Sequence, residues 1–312
     1  WGTATMAVLL VKLTGLPESW TTPLMVVFGF GFCITAFIGY KGLEMLSRFA
    51  VPAMIILVAV SMTIATSDAG GFSGLLAITP SDEMTVAAAI TMVFGTFVSG
   101  GTQATNWTRF AKSGKTAVIA TLLAFFLGNG LMTLIGAFGA LVYQQADIVD
   151  IMVAQGLATL GILMLFLNLW TTQDNTVYNF AVAGCNMIRT RRRKLVTVGG
   201  AAIGTVLAVL GMYEWLIPFL VLLGTFIPPI GGVIMASYFI GYKREYPSLE
   251  TATLPAFNVP GLAAYAIGSA AAYTSPWIAP IVGVLVAAAS YGVVLVVSEA
   301  VRDRRAQVLG AV

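Results

Sequence analysis

Apolar residues run through this chain in blocks of about 20, separated by short polar connections. Within the blocks they neither alternate at every second position nor keep to one helical face. This pattern predicts membrane-spanning helices and excludes an outer-membrane barrel, whose strands are short and alternating. The blocks fall near 23–40, 48–66, 85–103, 116–143, 157–187, 196–213, 215–241, 260–274 and 277–299, behind a partial span at 1–13. Two of them carry features that weaken a regular helix. In the fourth, Gly95, Gly100 and Gly101 sit among Thr96, Ser99 and Thr102, which predicts an opened backbone near the midplane, of the kind transporters use to expose carbonyls and amides. In the eighth, Pro228-Pro229 followed by Gly231-Gly232 predicts a kink that serves packing or function equally well. Between spans, 144–156 reads as a short surface helix over the outer mouth.

The block at 157–187 is unlike the rest. Asn168, Thr172, Asn175 and Asn179 recur at i, i+4, i+7 and i+11, so three amides and a hydroxyl share one helical face, with Thr171 at its edge. Asp174, the only carboxyl group deep in a span, lies within the same run. Isolated polar side chains in membrane bundles usually hydrogen-bond neighbouring helices. A stripe that includes a carboxyl group points instead to a ligand or ion, because polarity at membrane depth is costly.

Composition agrees with the pattern: of 312 residues 58% are hydrophobic and 9% charged, and mean hydropathy is +0.92. A soluble fold is excluded. Every Lys and Arg except Lys12 lies on alternate connections or in the tail: Lys41 and Arg48, then Arg109, Lys112 and Lys115, then Arg189 and 191–194, then Lys243 and Arg244, then Arg302, Arg304 and Arg305. The positive-inside rule puts those connections and the C-terminus in the cytoplasm of a multi-pass inner or plasma membrane protein. Glu18, Asp68, Asp82, Glu83, Asp147, Asp150 and Glu214 occupy the opposite side. The basic run at 189–194 reads as a topological anchor with some contact to anionic lipid, and the formal charge of +3 implies no nucleic-acid partner. Trp1 stands inside an apolar run without a start methionine, so natural sequence upstream is expected.

Several tempting motifs fail. Gly114-Lys115-Thr116 lacks the first glycine of a phosphate loop and a preceding strand. Gly71-Phe72-Ser73-Gly74 has the look of a protease nucleophile turn, but the chain has no histidine. No second carboxyl group accompanies Asp174 for aspartyl chemistry, and Cys33 and Cys185 in apolar stretches suggest neither a disulfide nor a metal. No enzyme and no cofactor beyond a coupling ion is expected. Gly200 and Gly204 fit a close helix contact.

The run 167–178, Leu-Asn-Leu-Trp-Thr-Thr-Gln-Asp-Asn-Thr-Val-Tyr, together with Ile227-Pro228-Pro229-Ile230-Gly231-Gly232 and Phe125-Phe126-Leu127-Gly128-Asn129, resembles the cytosine permease branch of the nucleobase–cation symporter-1 family. The resemblance implies an all-α, polytopic, LeuT-like fold of five plus five inverted spans. Residues 1–312 then form one transporter domain that lacks the family's first two spans. It implies uptake of a nucleobase or related heterocycle with a sodium ion or proton. In that reading Thr96, Phe97 and Ser99 line the base site, with the Phe97 ring stacked on the base, and Trp1 supplies the facing aromatic. Asn168 hydrogen-bonds the base, and Thr171 and Thr172 give oxygens to sodium. Thr96 stands where cytosine permeases often have Ser, and Asn106 where the family commonly has Asp.

The expected function is therefore symport of a nucleobase, cytosine first, into the cytoplasm by rocking of one helix bundle against another. The partners are a small base, a cation and the lipid bilayer, with no obligate protein partner. Sodium is preferred to a proton because paired threonines suit an ion cage and only one buried acid is present. The alternatives are a permease for purines, allantoin or hydantoins on the same scaffold, and more remotely a channel or intramembrane enzyme.

Overall fold

The computed structural model describes residues 1–79, 84–145, 148–248 and 257–309, without the side chains of 149 and 302–309. Among the topological charges, Asp82, Glu83, Asp147 and the side chains of Arg302, Arg304 and Arg305 lie outside the described residues. The described residues form helices and no strand: α1 (Gly2–Thr14), α2 (Thr21–Gly31), α3 (Ile34–Ile38), α4 (Tyr40–Asp68), α5 (Phe72–Ala77), α6 (Val86–Gln103), α7 (Thr105–Thr108), α8 (Gly114–Leu123), α9 (Gly130–Tyr143), α10 (Ile148–Ala154), α11 (Ala158–Met187), α12 (Arg193–Val209), α13 (Leu216–Phe226), α14 (Pro228–Ala236), α15 (Val259–Thr274) and α16 (Ala279–Leu309).

Six helical segments among them are long and apolar enough to cross a membrane: Glu18–Ile38, Tyr40–Asp68, Val86–Gln103, Gly114–Tyr143, Met212–Gly241 and Ala279–Val301. Each coincides with an expected span. The other three expected spans are helical as α11, α12 and α15. The last two are short, at 17 and 16 residues, while α11 has 30 residues but carries the polar run. The surface helix expected at 144–156 is present as α10. It is anchored by Ile151 and Met152, both buried, against Gly139 and Gly161, and by an ion pair of 2.8 Å between Lys12 and Asp150.

The chain divides into two compact units, Trp1–Asp82 with Asn106–Leu216, and Glu83–Thr105 with Ile217–Val312. In the first, α11 is the central element and packs against α1, α3, α4, α10 and α12. Phe28, Phe32, Phe166 and Trp170 fill the space beside it with ring centroids 5.2–6.4 Å apart, a spacing that favours offset and edge contacts. The α3–α4 corner turns at Gly39, whose φ of 113° excludes most side chains. Arg193 closes that corner by donating to the carbonyls of Ala36, Phe37 and Ile38, which helix α3 leaves without internal partners. In the second unit α14, α15 and α16 pack together and α6 lies on α14 and α16.

Of the two spans with weakened backbones, the fourth departs from expectation and the eighth follows it. The opening predicted in the fourth is absent, because α6 runs unbroken from Val86 to Gln103. Its glycine allows close approach: a Cβ on Gly95 would overlap the Leu220 carbonyl oxygen of α13, and one on Gly224 would overlap the Thr91 carbonyl oxygen of α6. Packing contact compensates the low helical propensity of glycine. The Pro-Pro site does interrupt its span, between α13 and α14, with Pro228 and Pro229 buried and the Pro229 ring seated on Gly283 of α16. An unexpected wide turn, a π-helical segment over Ala124–Asn129, joins α8 to α9. Of the glycine pair proposed for a helix contact, Gly200 meets the Phe180 ring and Gly204 has nothing within 4 Å.

Candidate substrate and ion site

The polar run of α11 splits into two stretches. In the C-terminal one the side chains are paired with groups of neighbouring elements. Asn175 accepts from the Trp107 indole at 2.8 Å, and Asn179, buried, accepts from Asn106 at 3.0 Å while donating to the Asn175 carbonyl. One position over, Tyr178 Oη accepts from Arg109 at 3.0 Å. The short helix α7 and the residues after it are thus laced to α11 rung by rung, which is the ordinary use of polar groups between membrane helices. The Asp expected by family pattern at 106 is replaced by an amide, and the amide finds another amide. Arg109, in turn, lies 4.8 Å from the Phe110 ring and bonds a phenol.

Asp174 leaves the stripe. At six residues from Asn168 it points to a different side of the helix, where it is buried and accepts a 2.7 Å hydrogen bond from Thr35 of α3. Thr35 in turn accepts from the Trp170 indole at 3.1 Å. Neither the Thr35 partner nor the Arg193 cap on the same corner carries a local sequence signal. Both rest on residues more than a hundred positions away from α3's own sequence neighbours.

The N-terminal stretch is different. Asn168 is half-buried, and its side-chain amide has no partner among the described residues. Thr171 donates its hydroxyl proton to the carbonyls of Leu167 and Asn168, at 3.0 and 2.9 Å, and its oxygen keeps acceptor capacity. Thr172, exposed, also has no side-chain partner among the described residues. Trp1 is brought near this stretch from the start of the chain. Its indole donates to the Tyr213 carbonyl at 2.6 Å, and the adjoining Gly2 sits against Leu169 and Gln173.

Thr96, Phe97 and Ser99 belong to α6 in the second unit. Thr96 donates to the Val93 carbonyl at 2.6 Å. The Phe97 ring, 37% exposed, lies back over Gly100, where a Cβ would approach it to 2.8 Å. Ser99 is half-buried, and its carbonyl accepts from Thr102. Among the described residues no group of three His, Cys, Asp or Glu is arranged to hold a metal.

Among solved structures the chain is similar to Mhp1 in its inward-facing conformation, with a TM-score of 0.74 at 18% identity, over 96% of this chain and 71% of that one. The architecture is therefore the all-α, LeuT-like inverted-repeat transporter fold. In sequence, the family model described as "Permease for cytosine/purines, uracil, thiamine, allantoin" matches residues 1–294. The chain is 38% identical over 290 residues to the cytosine permeases of Escherichia coli O157:H7 and of strain K12, covering 93% of this chain and 68% of each relative. It belongs to that permease family and is a multi-pass membrane protein.

Proposed function

We propose that this permease is a secondary active symporter that carries a nucleobase, cytosine first, into the cytoplasm together with a sodium ion, and that its C-terminus is cytoplasmic. The observation that carries the reading is Asn168, a half-buried amide without a side-chain partner among the described residues, on a helix whose other stripe amides are bonded. An amide offers a donor and an acceptor side by side, which is the pattern on the ring and exocyclic atoms of a pyrimidine. Kinship with cytosine permeases supports the choice of base.

Thr171 and Thr172 are assigned to the ion. Sodium is a hard cation and takes oxygen ligands, and a threonine hydroxyl whose proton is already spent on a backbone carbonyl presents lone pairs. Phe97 and Trp1 supply aromatic faces for the base, with Thr96 and Ser99 setting polar contacts. No cofactor and no protein partner is required.

Uptake of labelled cytosine by cells expressing the protein, with and without a sodium gradient, tests all three assignments. Saturable, sodium-dependent uptake is expected. Uptake unchanged without sodium and abolished by a protonophore would transfer the coupling role to a proton. Failure of unlabelled cytosine to compete, with competition by a purine, allantoin or a hydantoin, would move the substrate to that compound.

A further inference from the structure

The first unit carries an apolar groove apart from the polar run of α11. Residues of α2, α3 and α12 enclose a groove of about 190 Å³. Its floor is made of small buried side chains, Cys33, Thr197 and Ala201, and its rim of large exposed ones, Phe30, Ile34, Phe37 and Val198. Small residues beneath large ones are what make the surface concave. The floor offers no spare polarity: the Cys33 thiol donates to the Gly29 carbonyl at 3.0 Å and the Thr197 hydroxyl to the Arg193 carbonyl at 2.9 Å. An apolar occupant fits and a polar one does not.

One end of the groove is basic. Lys194 Nζ lies 5.1 Å from the Phe37 ring, where the candidate span Glu18–Ile38 ends. Arg189, Arg191 and Arg192 lie in the connection immediately before α12. Arg193 is spent on the carbonyls of α3, but among the described residues none of the other four cations has an acidic partner. An apolar channel that starts beneath unpaired cations at a membrane boundary complements one molecule in particular. The geometry points to a bound anionic phospholipid, with one acyl chain along Phe37, Ile34 and Phe30 and the phosphate at Lys194. A zwitterionic lipid lacks the net charge to answer that basic end.

The test uses the purified protein in non-ionic detergent, titrated with palmitoyl-oleoyl-phosphatidylglycerol or the corresponding phosphatidylcholine. Native mass spectrometry counts bound lipid, and thermal unfolding is followed in parallel. One phosphatidylglycerol should be retained and should raise the unfolding temperature, while phosphatidylcholine does neither. Val198→Trp, at an exposed rim position, should fill the groove and abolish both effects. Lys194→Gln should raise the half-saturating lipid concentration about fivefold, and Lys194→Arg should restore it. Equal retention of the two lipids, an undiminished effect in Val198→Trp, or displacement of the lipid by inorganic phosphate would each overturn the assignment. If Val198→Trp does not fold, the Lys194 pair decides alone: equal affinity in both variants removes the site.

Discussion

Two stretches of one helix, 168–172 and 174–179 of α11, both carry amide and hydroxyl side chains and differ in what those side chains do. The C-terminal stretch is consumed by the protein: Asp174 by Thr35, Asn175 by Trp107, Asn179 by Asn106. In the N-terminal stretch Thr171 bonds only its own helix, and Asn168 and Thr172 are without side-chain partners among the described residues. Polarity in a membrane helix thus has two uses, and the count of polar residues does not separate them. What separates them is whether the neighbouring elements bring complementary groups. Short α7 brings an amide and an indole to one stretch, and α3 brings a hydroxyl to Asp174.

Mutation of each stretch should break different properties. The largest effect is expected for Asp174→Ala, which strands the buried Thr35 hydroxyl and removes a buried hydrogen bond, at a cost of about 3 kcal/mol. Thermal unfolding in detergent would show it as a large drop in midpoint and in folded yield. Wild-type stability there would mean that the Thr35–Trp170 pair is held by other contacts. Next comes Asn168→Ala. Its stability should match wild type, while cytosine affinity in a binding assay falls by about 1–3 kcal/mol, because polar substrate atoms lose their hydrogen-bond partner. A variant with a lowered unfolding midpoint and unchanged affinity would reverse the division between the two stretches.

Thr172→Ala should leave affinity for the base at saturating sodium intact and raise the sodium concentration for half-maximal uptake about fivefold, the loss of roughly 1 kcal/mol from one oxygen contact. An unshifted sodium curve would take the ion away from Thr172. The smallest effect belongs to Asn179→Ala. Interhelical hydrogen bonds in membranes average about 0.6 kcal/mol, so stability should fall slightly and neither substrate nor sodium dependence should move. A strong transport defect there would extend the functional stretch down the helix.

Much of the architecture was legible in the order of residues. The span positions, the all-helical character of the described residues, the surface helix α10 and the family follow from long apolar blocks and from motifs centred on α11 and Pro228-Pro229. The glycines of α6 misled. Glycine lowers helical propensity, but it also permits backbone contact, and nothing local says which property is in use. The answer at Gly95 lies in the Leu220 carbonyl, more than a hundred residues away. Asp174 misled for a related reason: adjacency in sequence placed it with Asn175, whereas the 100° turn between successive helical residues faces it elsewhere.

The sequence by itself determined that this protein lives in a bilayer, is helical and carries unusual polarity in one helix. Partition of an apolar segment into the bilayer and the backbone hydrogen bonding within its helix depend only on that segment's own residues. Tertiary structure alone decided which of those polar groups are spent, where Asp174 and Arg193 find their partners, and that a small-residue floor between α2, α3 and α12 becomes a groove beneath Lys194. Each of these depends on groups from separate helices meeting at hydrogen-bonding or packing distance. That meeting is a property of the fold and leaves no periodic trace along the chain.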